Sequence, residues 1–404
     1  MEYINRHIES TVKKYAESFP IVLITGARQV GKSTLLMNVF GNLEYITFDD
    51  PTQVVSARSD PKHFFSLITP PVIFDEIQYI GELFSYIKME VDRRKAKGLY
   101  IMTGSQQYAL MQNVTESLAG RVGILVLHGL SLREQYGDTF SEPFVRSREQ
   151  IMRRNVRYSI GRDELWKIIH RGSYPELVSG SQSRDLYYGS YVKTYIERDV
   201  RSLTQIGDEW QFTIFLTVLA SRTGSIVNYT DIAKEVGVSS PTIKRWISIL
   251  IAGGIVTLLH PWSRNIEKQV TKTPKLYFLD TGLASWLTKW QTPQSLEEGN
   301  MAGAFFESFV ISEIIKSWHN AGRDPSLYFY RDHEGKEIDL LIEEGQILYP
   351  VEIKKSATPG SSALKNFGVL KNINKEIGPK TVICSIDKPA FLSKDAVALP
   401  VSYI

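Results

Sequence analysis

The residues best suited to chemistry in this chain are a loop of small residues with a lysine and a pair of acids some way beyond it. Gly26-Ala27-Arg28-Gln29-Val30-Gly31-Lys32-Ser33-Thr34 follows the apolar run Ile21-Val22-Leu23-Ile24. Its spacing is G-x-x-x-x-G-K-[ST], placed between an expected strand and an expected helix. Glycines let backbone N–H groups turn inward around phosphates, and a helix starting near Lys32 adds the positive end of its dipole. Lys32 is expected to reach the β- and γ-phosphates of ATP, and Ser33 to hold Mg²⁺. The second stretch, Val72-Ile73-Phe74-Asp75-Glu76, lies 43 positions beyond the lysine (75 minus 32) and ends a buried strand in two acids. Asp75 is expected in the Mg²⁺ shell, and Glu76 is expected to polarise the attacking water.

These groups need elements to carry them. Ser33 to Phe40 reads as a helix, Glu44 to Phe48 as an alternating strand, and Leu99 to Met102 as a buried strand ending in Thr103-Gly104-Ser105. Ligands of α/β sheets sit at the C-terminal ends of strands, so Ser105 is a candidate sensor of the γ-phosphate. A further strand is expected over Val122 to Leu127. Arg121 just before it is a candidate arginine finger for a neighbouring subunit, with a surface ion pair as the equal alternative. Ile4, Ile8, Val12 and Tyr15 predict a helix over Met1 to Phe19. It is a packing helix on that spacing, with Tyr3 and Arg6 as alternatives for covering the nucleotide base.

The chain has 404 residues, too many for one core, and a net charge of only +3. Any affinity for nucleic acid must therefore come from local patches. The single cysteine, Cys384, excludes an internal disulfide and a multi-cysteine zinc site. With no signal-peptide core at Met1 to Ser10 and no apolar run near ~20 residues, the expectation is a cytoplasmic protein without a membrane partner.

GARQVGKSTLL, VIFDEIQ, TGS and SLAGR together resemble the prokaryotic AAA+ ATPases that carry a C-terminal DUF4143 region. The resemblance covers nearly the whole chain and implies an AAA-type core, ATP and Mg²⁺. Gly172-Ser173-Tyr174-Pro175-Glu176 resembles the G-G-Y-P segment of the same family.

Between Leu132 and Arg171 the chain is rich in arginine: Arg133, Arg146, Arg148, Arg153, Arg154, Arg157, Arg162 and Arg171. This stretch is either a footprint for phosphate backbones or a solvated linker. With the helical run from Tyr187 to Leu203 it is expected to form the lid of the ATPase, where Arg171 and Arg198 are alternatives for touching nucleotide. Val227 to Leu259 has the pattern of a helix-turn-helix with a wing. Thr230 to Val236 is a helix ended by Gly237, Ser240 caps the next, and Ile243, Trp246, Ile247 and Leu250 form its buried stripe. Lys244 and Arg245 fall outside that stripe and are candidate DNA contacts; a protein-docking module is the alternative.

In the C-terminal third, Glu307 precedes Val310, Ile311 and Ile314 by three, four and seven positions, so its carboxylate lies on an apolar helix face and needs a partner. Lys336 to Ile342 and Tyr349 to Lys355 read as paired strands, with Glu352 and Lys354 on one face. A helix Glu, then Asp339, then Glu352-x-Lys354 resembles the PD-(D/E)xK nuclease core. Glu307, Asp339 and Glu352 would hold Mg²⁺, and Lys354 would activate water. A solvated hairpin and an inactive nuclease-like fold are the plainer alternatives.

The combined expectation is an α/β chain in four parts: an AAA+ P-loop core over 1–130, an arginine-rich lid over 131–205, a winged helix over 206–295 and a PD-(D/E)xK-like domain over 296–404. It would work on DNA as a homo-oligomer, with a hexameric ring among the options. The rival expectation is an ATP-dependent switch or scaffold.

Overall fold

The computed structural model describes residues 3–105, 114, 117–145, 147–196, 209–263 and 272–404. Arg146 and Arg198, and the side chain of Arg148, lie outside what it describes. The chain divides into two compact units. The first comprises residues 1–130, 252–254 and 319–322, and the second comprises the rest.

The first unit is built on five parallel strands: β1 (Ile21–Thr25), β2 (Glu44–Thr47), β3 (Val72–Asp75), β4 (Tyr100–Gly104) and β5 (Val122–Val126). Their order is β2-β3-β4-β1-β5. Every residue of β1, β3 and β4 is buried, which is why these strands read as continuous apolar runs and not as alternating ones. The helices are α1 (Glu9–Ser18), α2 (Lys32–Val39), α3 (Pro51–Ser59), α4 (Pro61–Leu67) and α5 (Phe84–Arg94). An aromatic cluster of Phe48, Phe64, Phe65, Phe74 and Tyr100 fills part of the core, with Phe48 meeting Phe74 edge-on at 5.6 Å between ring centres. Helix α1 starts at Glu9, later than the sequence predicts. The backbone N–H of Arg6 and the hydroxyl of Tyr3 both donate to the Glu9 carboxylate at 2.8 Å, which organises the entry to the helix without extending it.

The second unit holds one ten-stranded sheet in the order β14-β15-β13-β11-β10-β9-β7-β8-β6, with β12 paired to β11. Its strands are β6 (Ser225–Ile226), β7 (Val256–Pro261), β8 (Lys275–Phe278), β9 (Leu327–Arg331), β10 (Glu337–Glu344), β11 (Ile347–Lys354), β12 (Glu376–Ile377), β13 (Lys380–Cys384), β14 (Ala390–Ser393) and β15 (Ala396–Pro400). Strands β10 and β11 form a hairpin across a two-residue turn in which Gly345 has φ +60°. Strand β7 pairs with β9 in parallel through His260–Tyr328 and Pro261–Phe329. A boundary at 295/296 therefore divides one continuous sheet, because backbone pairing carries β7 directly into β9.

The longest α-helices of this unit among the described residues are Arg162–Arg171, Arg184–Tyr191, Glu209–Ala220, Tyr229–Val236, Ser240–Ala252, Thr281–Leu287 and Ala302–Asn320. Asp280 ties several of them together. Its buried carboxylate caps helix Thr281–Leu287 at the Leu283 N–H (2.8 Å) and accepts from the N–H and hydroxyl of Ser173 (2.7 and 2.9 Å) and from the Tyr188 hydroxyl (2.6 Å).

Among the described residues, the arginines of the arginine-rich stretch divide between buried and exposed positions. Arg133 is buried and donates to the carbonyls of Phe140 (2.9 Å), Glu142 (2.7 Å) and Ile404 (2.6 Å). Arg154 is buried too, pairs with Asp138 at 2.7 Å and donates to the Ser402 carbonyl at 2.7 Å. Arg153 pairs with Glu142, Arg162 with Glu297, and Arg171 donates to Gln135 at 2.6 Å. Arg157 is exposed.

Gly172, with φ +89°, ends helix Arg162–Arg171, and a Cβ there would stand 2.2 Å from the Tyr188 hydroxyl and 2.6 Å from an Asp280 carboxylate oxygen. Gly172→Ala is expected to destabilise the second unit by about 2 kcal/mol or more, since it adds backbone strain and breaks a buried network. Urea denaturation checks this; an unchanged midpoint would contradict the role given to Asp280.

Candidate functional site

The phosphate-loop site assembles at the C-terminal ends of β1, β3 and β4. The loop leaves β1 through Gly26 at φ +141°, where a Cβ would lie 2.1 Å from the Leu127 carbonyl oxygen. It enters α2 through Gly31 at φ +93°. Only glycine fits the first position for reasons of space as well as φ. Thr34 lies in the first turn of α2, and Ala27, Arg28, Gln29 and Val30 form the loop, with Gln29 also at positive φ. Lys32 is buried and its ammonium donates to the carbonyls of Gly26 (3.2 Å) and Ala27 (2.9 Å), so it is folded onto the loop that phosphates would fill. Arg6 is buried and donates to the Val30 carbonyl (2.9 Å) and the His128 carbonyl (2.7 Å). It braces the back of the loop, a role its position in the sequence does not reveal.

Asp75 and Ser33 meet as the sequence predicts, with the Ser33 hydroxyl 2.9 Å from both carboxylate oxygens. Two further hydroxyls reach the same carboxylate: Thr103 at Oδ1 and Tyr45 at Oδ2, the latter at 2.5 Å. A divalent cation is the partner that the loop chemistry implies. The donor set fits one, since a hydroxyl and a carboxylate side by side are hard oxygen ligands.

Glu76 has φ +55° and ψ +46°, a left-handed conformation uncommon for a non-glycine residue. Its backbone N–H donates to Thr103 Oγ1 at 3.1 Å, and its carboxylate accepts from Ser105 Oγ at 2.9 Å and from the Gln78 amide. The same amide nitrogen lies 3.4 Å from Ser105 Oγ, while Gln78 Oε1 is buried without a hydrogen-bond partner. Glu76 and Ser105, expected as base and sensor, are thus bonded to each other. Arg121 stands apart. It precedes β5 at the end of the sheet opposite the phosphate loop, where its guanidinium grips Asp92 at 2.6 and 3.0 Å.

The acids of the second unit form a different network. Asp339 sits where β10 slips register against β9, between Ile338 and Leu341, and its carboxylate accepts from the Ile353 N–H at 2.7 Å. Lys354 lies 2.7 Å from Glu352 and 3.5 Å from Asp339, and Glu352 Oε2 is buried without a hydrogen-bond partner. Glu307, expected to join them around a metal, instead accepts from the Tyr277 hydroxyl (2.5 Å) and from Lys275 (3.2 Å). Lys275 is buried and also pairs with Glu337. Among the described residues no three His, Cys, Asp or Glu side chains gather closely enough to hold a metal ion. The apolar setting predicted a partner for Glu307; strand β8, distant in sequence, supplies it as an ammonium.

Burial, and then Asp339, push the Glu352 carboxyl up to about 7; burial raises Glu307 to about 6 and raises Asp339 as well. Burial works against the ammonium of Lys354, but Asp339 and Glu352 outweigh it, so its pKa is raised.

Lys244 and Arg245 are exposed on helix Ser240–Ala252, whose buried face is Ile243, Trp246, Ile247, Ile249 and Leu250. The Lys244 ammonium lies 5.3 Å from the centre of the Tyr229 ring.

Residues 18–136 match the family described as AAA domain, and residues 302–404 match a domain of unknown function, DUF4143. The chain carries an AAA domain followed by a DUF4143 domain. Residues 162–294, between them, match a second domain of unknown function, DUF8612. The AAA domain is thus the first unit's parallel sheet with its phosphate loop and acids. Uncharacterized proteins of Mycobacterium tuberculosis and Mycobacterium bovis are each 29% identical over 360 residues, covering 88% of this chain and 75% of theirs. Among solved structures, a Walker-type ATPase of Pyrococcus abyssi is similar at 16% identity and a TM-score of 0.45, over 70% of this chain and 96% of that one. RuvB of Thermotoga maritima is similar at 14% identity and a TM-score of 0.28, over 62% and 88%. No helix among the described residues is long and apolar enough to cross a membrane.

The raised carboxyls give the DUF4143 domain a pH dependence. A carboxyl whose folded pKa exceeds its unfolded value holds its proton more tightly in the folded chain. The stability it contributes is complete below about pH 4.5 and is lost as pH rises through about 7 for Glu352. Glu352→Gln is therefore expected to melt at a higher temperature than the parent at pH 8 and at a similar temperature near pH 4.5. Thermal melts across that range check it, and a gap that is the same at every pH would contradict it.

Proposed function

We propose that this chain is an ATP-hydrolysing AAA protein that acts on DNA as a homo-oligomer. The observation that carries the ATPase reading is the pairing of Ser33 with Asp75 beside the Glu76–Ser105 pair, all at the strand ends that flank Lys32. In this reading Lys32 leaves the Gly26 and Ala27 carbonyls for the β- and γ-phosphates, Ser33 and Asp75 hold Mg²⁺, and Glu76 leaves Ser105 to take a proton from the attacking water. Ser105 is then freed to meet the γ-phosphate. Arg121 acts in trans, since it lies at the opposite end of β5 from its own loop, and its pair with Asp92 has to open for that role.

Support for the DNA part of the reading comes from helix Ser240–Ala252. Its partner helix Tyr229–Val236 and strands β7 and β8 complete the pattern of a winged helix, and Lys244 and Arg245 are the exposed cations on the helix that would enter a groove. The hairpin β10–β11 and helix Ala302–Asn320 are in keeping with a PD-(D/E)xK-like domain, in which Glu352 Oε2 lies without a hydrogen-bond partner beside Lys354. One observation favours a second reading, an ATP-dependent switch or scaffold whose nuclease-like fold is inactive. Lys275 and Tyr277 already occupy Glu307, the third carboxylate a nuclease would spend on metal.

Lys32→Ala is expected to abolish ATP binding measured by calorimetry. Glu76→Gln is expected to retain binding but to release phosphate at least ~10²-fold more slowly, the scale of losing a general base. ATP binding by Lys32→Ala at the parent's affinity would remove the ATPase reading.

A double substitution, Lys244→Glu with Arg245→Glu, is expected to weaken DNA binding by about tenfold or more in a chain that still folds, since both side chains lie on the exposed face of their helix. Fluorescence anisotropy with labelled duplex at low salt checks it. Unchanged affinity, with ATP turnover indifferent to DNA, would favour the switch.

A further inference from the structure

Asp75 gathers three hydroxyls at the phosphate-loop site. Its Oδ1 faces the hydroxyls of Thr103 and Ser33, and its Oδ2 faces those of Ser33 and Tyr45. A carboxylate oxygen offers about two lone-pair directions, and the three hydroxyls crowd both oxygens, with the single proton of Ser33 shared between them. A cation at Ser33 and Asp75, or a water of its shell, therefore competes with these hydroxyls for the carboxylate, and the one that yields most easily sets the cost. Thr103 is fully buried in the middle of the sheet, fixed by its bond from the Glu76 N–H. Ser33 is itself the other expected ligand and can keep its proton on Asp75 while its oxygen turns to the cation. Tyr45 remains. It lies on the edge strand β2 and is 37% exposed, so its ring has solvent to move into.

We propose that the Tyr45 hydroxyl stands in for the cation beside Asp75 and must leave when Mg²⁺ arrives with nucleotide, so that Tyr45 sets how much Mg²⁺ the site demands. The proposal rests on the ATPase reading above. Tyr45 acts through Asp75 and is a positioning residue. When the cation is absent its proton satisfies a buried carboxylate that would otherwise be left partly unpaired. When the cation binds, the cost of breaking that bond is subtracted from the affinity for Mg²⁺ and not from the contacts of the phosphates with Lys32 and the loop. Nothing about Tyr45 is legible in the sequence, where it is one of two polar-edged residues at the start of an alternating strand. Register makes the contact: Tyr45 lies opposite Ile73 and Thr47 opposite Asp75, so a long phenol two residues back can reach forward to the acid.

The test is calorimetric binding of the non-hydrolysed analogue AMPPNP to the full chain, in EDTA and across a Mg²⁺ series, for the parent, Tyr45→Phe and Tyr45→Ala. Tyr45→Phe keeps the ring and removes only the hydroxyl; Tyr45→Ala removes both, and a common shift in the two variants separates the hydroxyl from packing. The expected result is that both variants reach half-maximal Mg²⁺-dependent binding at a Mg²⁺ concentration about threefold or more below the parent's, the scale of one hydrogen bond, with a smaller change in EDTA. Mg²⁺ demand in Tyr45→Phe equal to or above the parent's overturns the proposal and makes Tyr45 a support for Asp75. Failure of the parent to bind AMPPNP under any condition overturns the ATPase reading instead, which separates the two.

Discussion

A carboxylate at the end of a strand buried on both faces has to be satisfied by its neighbours, and in the first unit Asp75 is that group. Its strand places it between β2 and β4, so the side chains that satisfy it come from three elements: Ser33 from the start of α2, Thr103 from β4 and Tyr45 from β2. Thr103 then also receives the N–H of Glu76, which turns that residue into its left-handed conformation beside Ser105. The start of α2 and the two acids are thus tied to one buried charge and the hydroxyls around it, while Arg6 braces the loop onto which Lys32 folds. Desolvation makes such a charge expensive to leave unpaired, so the arrangement tolerates few rearrangements other than exchange of one donor for another.

The second unit solves the same problem twice. Asp280 is covered by neutral donors, the Ser173 N–H and hydroxyl, the Tyr188 hydroxyl and the Leu283 N–H, and the result is a rigid junction of helices. The acids of the DUF4143 domain are covered by ammonium groups, Lys275 for Glu307 and Glu337 and Lys354 for Asp339 and Glu352. The match is incomplete, for Glu352 Oε2 is left without a partner and its carboxyl is driven upward by burial. A buried pair of this kind stabilises little by itself, because desolvation offsets the attraction between the charges. Protonation of Glu352 therefore bears on the stability of the domain.

Much of the first unit was legible because its signals are local. A glycine-rich loop between an apolar run and a helix demands a phosphate-loop geometry, and a buried strand ending in Asp75-Glu76 belongs beside it. The stripe of Ile243, Trp246, Ile247 and Leu250 likewise marked the buried face of its helix and left Lys244 and Arg245 outside. In the arginine-rich stretch the count of arginines carries no information about which of them are buried. Arg133 and Arg154 hold backbone carbonyls of the far C-terminal residues, a use of the guanidinium fork that only the folded chain can reveal.

The amino-acid order alone determined the elements with a strong period or a fixed loop chemistry, and with them the AAA domain's loop, its acid pair and the class of cofactor they suit. Tertiary structure decided which distant groups meet: Tyr45 at Asp75, Arg6 at the Val30 carbonyl of the loop, Lys275 at Glu307, and β7 against β9 to make one sheet of ten strands. The physical reason is that periodicity and capping act over a few residues. The partner of a desolvated charge is chosen by strand order and register, which bring together residues that the sequence holds far apart.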